Sequence, residues 1–175
     1  MSKRKIVVFV FVCIALFAGA VISLAAPILI EGELSDPVRS LAGLKQVRLK
    51  IQLQSPNIVE AGLDSQTIDK EWRLKLQTAG FEVMEKGDDL PLLELTVKAV
   101  SDPKVNDGLG VSAVLILYQR VHVERLEADL MLPTYVHTPG GVVPPLQLKA
   151  QVQEAIDFAL NVFLQNCHRA TARGE

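Results

Sequence analysis

The chain has 175 residues, a formal net charge of −2 and 49% hydrophobic residues, a length that accommodates one domain with a single core and not two. Three of its 18 basic residues are Lys3, Arg4 and Lys5, so the remainder carries 15 basic against 20 acidic residues, a net of −5. That balance, with no basic stripe or run, excludes a nucleic-acid binder driven by phosphate neutralisation.

Ser2 to Lys5 is a basic start, and Ile6 to Ile30 follows without a charged residue. Small residues at Ser23 and Ala25, or at Ala18 and Ala20, offer cleavage sites, as in a secretory signal peptide. The apolar run also exceeds the ~20 residues that span a bilayer, so an uncleaved anchor is the rival to cleavage. In both cases the positive cluster stays cytoplasmic and the rest is exported. The expected location is periplasmic or extracellular after cleavage, or single-pass membrane-anchored with a cytoplasmic N-terminus. Cys13 follows Val10-Phe11-Val12 rather than small residues, which argues against a lipid-modified cysteine. The expected organisation is a signal or anchor at 1–26, a polar linker at 27–43, one domain at 44–167 and a flexible tail at 168–175.

Along the domain, Val47, Leu49, Ile51 and Leu53 alternate with Arg48, Lys50 and Gln52, the period of a strand with one buried face. Asp64 or Ser65 caps a helix to about Ala79, with Ile68, Trp72, Leu76 and Ala79 on one face and Gly80 as the stop. Phe81 to Met84 is a short strand that completes a parallel crossover unit. Glu85 to Asp89 reads as a solvated acidic turn. Alternation returns at Leu93, Leu95, Val97 and Ala99, and Ser101 to Gly110 is a loop. Val111 to Glu124 is the most apolar strand, a central one. Leu126 to Leu132 suggests another strand, Pro133 to Pro145 a Pro/Gly-rich connector, and Leu146 to Asn166 a helix with a broad apolar face. The expected fold class is α+β, a two-layer sandwich. Its mixed four- to five-stranded sheet, in the order β-α-β-β-β-β-α, has two helices on one face.

Chemistry-bearing residues are sparse. His122, Glu124 and Arg120 share a strand face, so Glu94, His122 and Glu124 are the one set that could serve proton transfer. His137 and His168 have no partners at metal-ligand spacing, and no zinc or calcium set is visible. Gly108-Leu109-Gly110 lacks the residues of a phosphate loop. Cys167 lies on an apolar helix face, where a free thiol is normally buried. No catalytic residues, metal or cofactor are expected.

With both helices on one side, the other sheet face stays uncovered. It presents Arg48, Lys50, Glu94, Thr96, Lys98, Arg120, His122 and Glu124 around Val114, Ile116 and Tyr118, which fits a binding surface. The leading expectation is a non-enzymatic, exported, envelope-associated module that binds another envelope protein. Alternatives are a small-molecule or lipid binder with a cavity under the last helix, Phe158 and Val162 included, and an enzyme built on Glu94, His122 and Glu124.

Overall fold

The computed structural model describes residues 33–101 and 108–174, so the leader and its cleavage sites lie outside it, as does most of the loop after Ser101. Residues 34–175 form one compact unit. It opens with a single-turn helix α1 (Asp36–Arg39), then β1 (Gln46–Leu53), a short α2 (Pro56–Glu60), α3 (Ser65–Thr78) and β2 (Glu82–Met84). There follow β3 (Leu92–Ser101), β4 (Leu109–Val123), β5 (Ala128–His137), β6 (Gly140–Val143) and a long terminal helix α4 (Leu148–Gly174).

The sheet order is β2-β1-β3-β4-β5, with β6 also paired to β4. β1 is parallel to β2 and β3, and β4 is antiparallel to β3, β5 and β6. The fold is therefore an α+β two-layer sandwich with a mixed open sheet of six strands.

One-sided burial explains the strand periodicity. Val47 and Leu49, then Leu93, Leu95, Val97 and Ala99, then Val111, Ala113, Leu115 and Leu117, all point into one core. Facing them are Ile58 of α2, Ile68, Trp72 and Leu76 of α3, and Val152, Ile156, Leu160 and Phe163 of α4. Phe163 anchors an aromatic cluster, with ring centroids 6.1 Å from Phe81 and 5.8 Å from Tyr135.

α3 begins where its cap predicts. The Asp64 carboxylate accepts hydrogen bonds from the Thr67 backbone N–H and hydroxyl, both at 2.9 Å, satisfying otherwise orphaned donors of the first turn. The Thr67 hydroxyl bond, then the Thr67 N–H bond, hold the Asp64 pKa below its ordinary value. A depressed carboxylate stabilises the fold above its unfolded-state pKa and loses that contribution as pH falls through the folded value. Asp64→Ala should accordingly lower the melting temperature at neutral pH. Its gap to wild type should close as thermal melts are run down through the acidic carboxylate range.

Three expectations are corrected here. The expected polar linker does not hang free as far as residue 43: Leu41 is fully buried, and Leu34 and Val38 pack against the core. At the other end α4 continues to Gly174, and Ala170 is buried, so the helix face extends beyond Asn166 into the expected tail. The third correction is the largest. Pro133 to Pro145 is no connector: β5 runs through His137, and β6 continues it along β4 in an unchanged register, Leu115 opposite His137 and Ser112 opposite Gly140. The ladder bridges the break through Ala113 N–H donating to Pro139 O at 2.9 Å. Prolines are tolerated because this is an edge strand, where one side of each residue has no ladder partner. Pro133 sits at a bulge that skips Thr134 between Leu117/Tyr135 and Tyr118/Pro133.

Candidate docking face

The strand registers assemble the face opposite the helices in rows. Arg48 stands beside Leu92, then Tyr118 and Pro133; Lys50 beside Glu94, Ile116 and Val136; Gln52 beside Thr96 and Val114; Lys98 beside Ser112 and Gly140. The buried residues of the helices all belong to the core on the other side, so no described helix lies on this face. Its centre is apolar: Leu92, Val114, Ile116 and Tyr118 are half-buried and Val136 is exposed. Ten of the eleven residues singled out from the alternation share this face. Leu92 and Val136 complete its centre, and only the cross-strand register reveals them.

The eleventh, Glu124, does not belong there. β4 ends at Val123, Glu124 to Leu126 form a 3-10 turn, and Glu127 takes a left-handed φ of 45° to enter β5. The carboxylate beside His122 is instead that of Asp129, its cross-strand neighbour, at 2.8 Å from Nδ1. Glu94 is bound to Lys50 at 3.2 Å. It lies opposite Ile116, six residues from His122 along β4, or about 20 Å at strand rise. Glu94, His122 and Glu124 thus do not converge, and the enzyme built on them has no site.

Several of the margin's basic groups are matched within the domain. The turn after β2 reaches across this end of the sheet, with Asp88 3.9 Å from Arg48 Nη1 and Asp89 bonded to Arg120. With Glu85 also 2.8 Å from Arg73 Nη1, the acidic turn is engaged with three arginines rather than merely solvated. Exposed pairs of this kind contribute only about 0–1 kcal/mol each. Their consequence is electrostatic: four basic groups, Arg48, Lys50, Arg120 and His122, each face a carboxylate around the apolar centre. Such a surface suits a protein partner with an apolar patch better than phosphate or an anionic membrane.

No protein-family model and no curated protein matches this sequence. Among solved structures, the chain is similar to a minor lipoprotein from Acinetobacter baumannii, at 12% identity and a TM-score of 0.38 over 73% of this chain and 95% of that one. It is also similar to the rare lipoprotein B from Shewanella oneidensis, at 12% identity and a TM-score of 0.28 over 70% of this chain and 89% of that one. No residue role is carried over from either.

The helix side offers little chemistry. Residues Val152, Ile156, Ala159, Leu160 and Phe163 of α4 share one core with Leu115 and Leu117 and have essentially no exposure. The hollows beside α4 are surface clefts: one of about 400 Å³ near Phe81, Leu164 and Cys167, another of about 360 Å³ near Val143, Ala155 and Phe158. Phe158 is exposed, its ring 5.6 Å from that of His137. Burial lowers the His137 pKa. Among the described residues no group of three or more His, Cys, Asp or Glu is placed to hold a metal ion, and no helix is long and apolar enough to cross a membrane.

Burial pushes the Cys167 thiol from the ordinary 9.0 up to about 12, the reverse of an activated nucleophile. A raised thiol pKa stabilises the fold below the unfolded-state value and that contribution is lost as pH rises toward the folded one. Wild-type stability should therefore fall more steeply than that of Cys167→Ala between pH 9.0 and about 12, as read by denaturant melts in reductant. Alkylation of Cys167 at pH 8 should require unfolding.

Proposed function

We propose that this protein is an exported, envelope-associated, non-enzymatic module that docks another envelope protein on the helix-free face of its sheet. The observation that carries the reading is the apolar centre of that face, Leu92, Val114, Ile116, Tyr118 and Val136, with Arg48, Lys50 and Arg120 at its margin each facing a carboxylate of the same domain. Partly exposed apolar residues inside a polar rim are the anatomy of a protein–protein interface. Export is supported by the basic start and uncharged run of the first 30 residues.

The sheet edges support the choice of face over edge for most of its perimeter. β2 has three residues and carries Glu82 on one side. β5 is interrupted by Pro133. Short, charged or proline-bearing edges discourage strand addition.

Site-specific photocrosslinking tests this reading. A photoreactive residue replacing Ile116 or Thr96 in the native host should yield one discrete adduct of higher mass, and one replacing Leu74, exposed on α3, should not. The further change Val114→Lys should remove the adduct while leaving the melting temperature within a few degrees. Absence of an adduct at both face positions, or the same adduct from Leu74, would overturn the proposal.

A further inference from the structure

His137 is a titratable group on the helix side of the sheet, away from the docking face. It is the last residue of β5, opposite Leu115, so its ring points to the core side. Its Nε2 is buried and has no hydrogen-bond partner among the described residues. The ring of Phe158 on α4 stands 5.6 Å away, tilted by 46°. Only Thr138 and Pro139 separate His137 from β6, a strand of four residues. No opposite charge among the described residues compensates the buried nitrogen. β4 presents Ala113, Leu115 and Leu117 to this side, and β5 presents Tyr135, whose hydroxyl accepts from Asn166. β6 carries no charge. On α4, Glu154 is exposed one turn before Phe158, and Asp157 is bonded to Lys75 at 2.7 Å. Burial alone therefore acts on the imidazole and holds its pKa below the ordinary 6.5.

We propose that His137 is an acid-sensitive clasp on the sheet edge. Neutral, its ring closes the end of β5 and the start of β6 against Phe158 of α4. Protonated, it swings out past Phe158, and β6 loosens from the domain. A proton on Nε2 places a charge where no acceptor stands, a cost that the neighbouring groups do not offset. The way out is short, because Phe158 is itself 53% exposed. Of the elements around the ring, β6 is the easiest to release. It pairs only with β4, and the open space at Gly141 leaves its core side incompletely packed. Its release uncovers Val111 and Val143, now buried, so an apolar strip opens on acidification. The open form takes up the proton near the ordinary 6.5 and the closed form only below it. Opening is therefore favoured as pH falls below 6.5, and the effect levels off beneath the closed-state value. Export, as proposed above, exposes the clasp to the pH outside the cytoplasm, but the clasp itself does not depend on export.

The test is NMR of the full-length protein in detergent micelles, with the histidine rings titrated and amide exchange corrected for its intrinsic pH dependence. The His137 ring should titrate below 6.5. Between about pH 7.5 and about pH 5, the Gly141 and Val143 amides should lose protection several-fold, whereas those of buried Leu95 and Leu117 should keep theirs. His137→Phe keeps an aromatic ring that takes up no proton, and His137→Gln removes the titration with a smaller side chain. In either variant that folds, β6 should be as protected at the lower pH as at the higher. His122→Gln, on the other sheet face, should retain the acid response. A His137 ring that titrates at or above 6.5, wild-type β6 protection that does not change with pH, or an acid response that persists in the His137 variants would overturn the proposal.

Discussion

Replacing Phe163 by Ala should destabilise the domain by about 3–5 kcal/mol, the cost of truncating a fully buried aromatic side chain. Phe163 has no exposed surface, and its ring bridges Phe81 at the start of β2 and Tyr135 on β5. It thus ties α4 to strands on both sides of the sheet. Asn166 one turn on donates from Nδ2 to the Tyr135 hydroxyl at 3.1 Å, so the same truncation loosens a polar contact between α4 and β5. The loss is a large part of the 5–15 kcal/mol by which domains are ordinarily stable. Chemical denaturation should show a lower midpoint with a nearly unchanged slope. Phe158→Ala, a truncation of the same type at an exposed position of the same helix, should cost far less than Phe163→Ala.

A second large effect is expected at Gly140, and none at its neighbour. A Cβ on Gly140 would lie 2.4 Å from the Val111 carbonyl oxygen and 3.1 Å from the Ser112 Cα, both backbone atoms of β4. Neither can move without disturbing the ladder, so Gly140→Ala should cost about 1–3 kcal/mol, as overpacking does, or peel β6 from β4. Gly141→Ala meets open space and should be neutral or slightly stabilising. Hydrogen exchange of the Val111 and Val143 amides, with thermal melts of both variants, would read the contrast. Equal effects at the two glycines would mean that β6 is not held against β4 as described.

These two glycines also show where the fold was legible and where it was not. β1, β3 and β4 are readable because burial on one side imprints a period of two, and α3 because Asp64 and Gly80 bracket an apolar face. β6 and the half of β5 beyond Leu132 escape because proline and glycine ordinarily mark turns, and only pairing with β4 makes Pro133, Pro139 and Gly140 compatible with a sheet edge. The segment before β1 did carry a signal: Leu34, Val38 and Leu41 recur at helical spacing among the charges that made it look like a linker. So did the end of α4, where Phe163, Cys167 and Ala170 continue one buried face past the polar residues between them. The helix-free face was readable strand by strand. Its apolar centre was incomplete because Leu92 and Val136 join it only through the register across three strands. Glu124 was misassigned because nothing in Val123-Glu124-Arg125-Leu126 announces a 3-10 turn.

The measurement that most directly tests an exported domain with a covered sheet face is cysteine labelling in the native host with a maleimide that does not cross the cytoplasmic membrane. Single cysteines at Ile116, on the face, and at Leu74, on the exposed side of α3, are compared in cells and in purified protein, against the unreactive buried Cys167. In purified protein both introduced cysteines should label. In cells Leu74→Cys should label and Ile116→Cys should be protected by its partner. Failure of Leu74→Cys to label in cells would contradict export, and equal labelling of Ile116→Cys in cells and in purified protein would contradict the docking face.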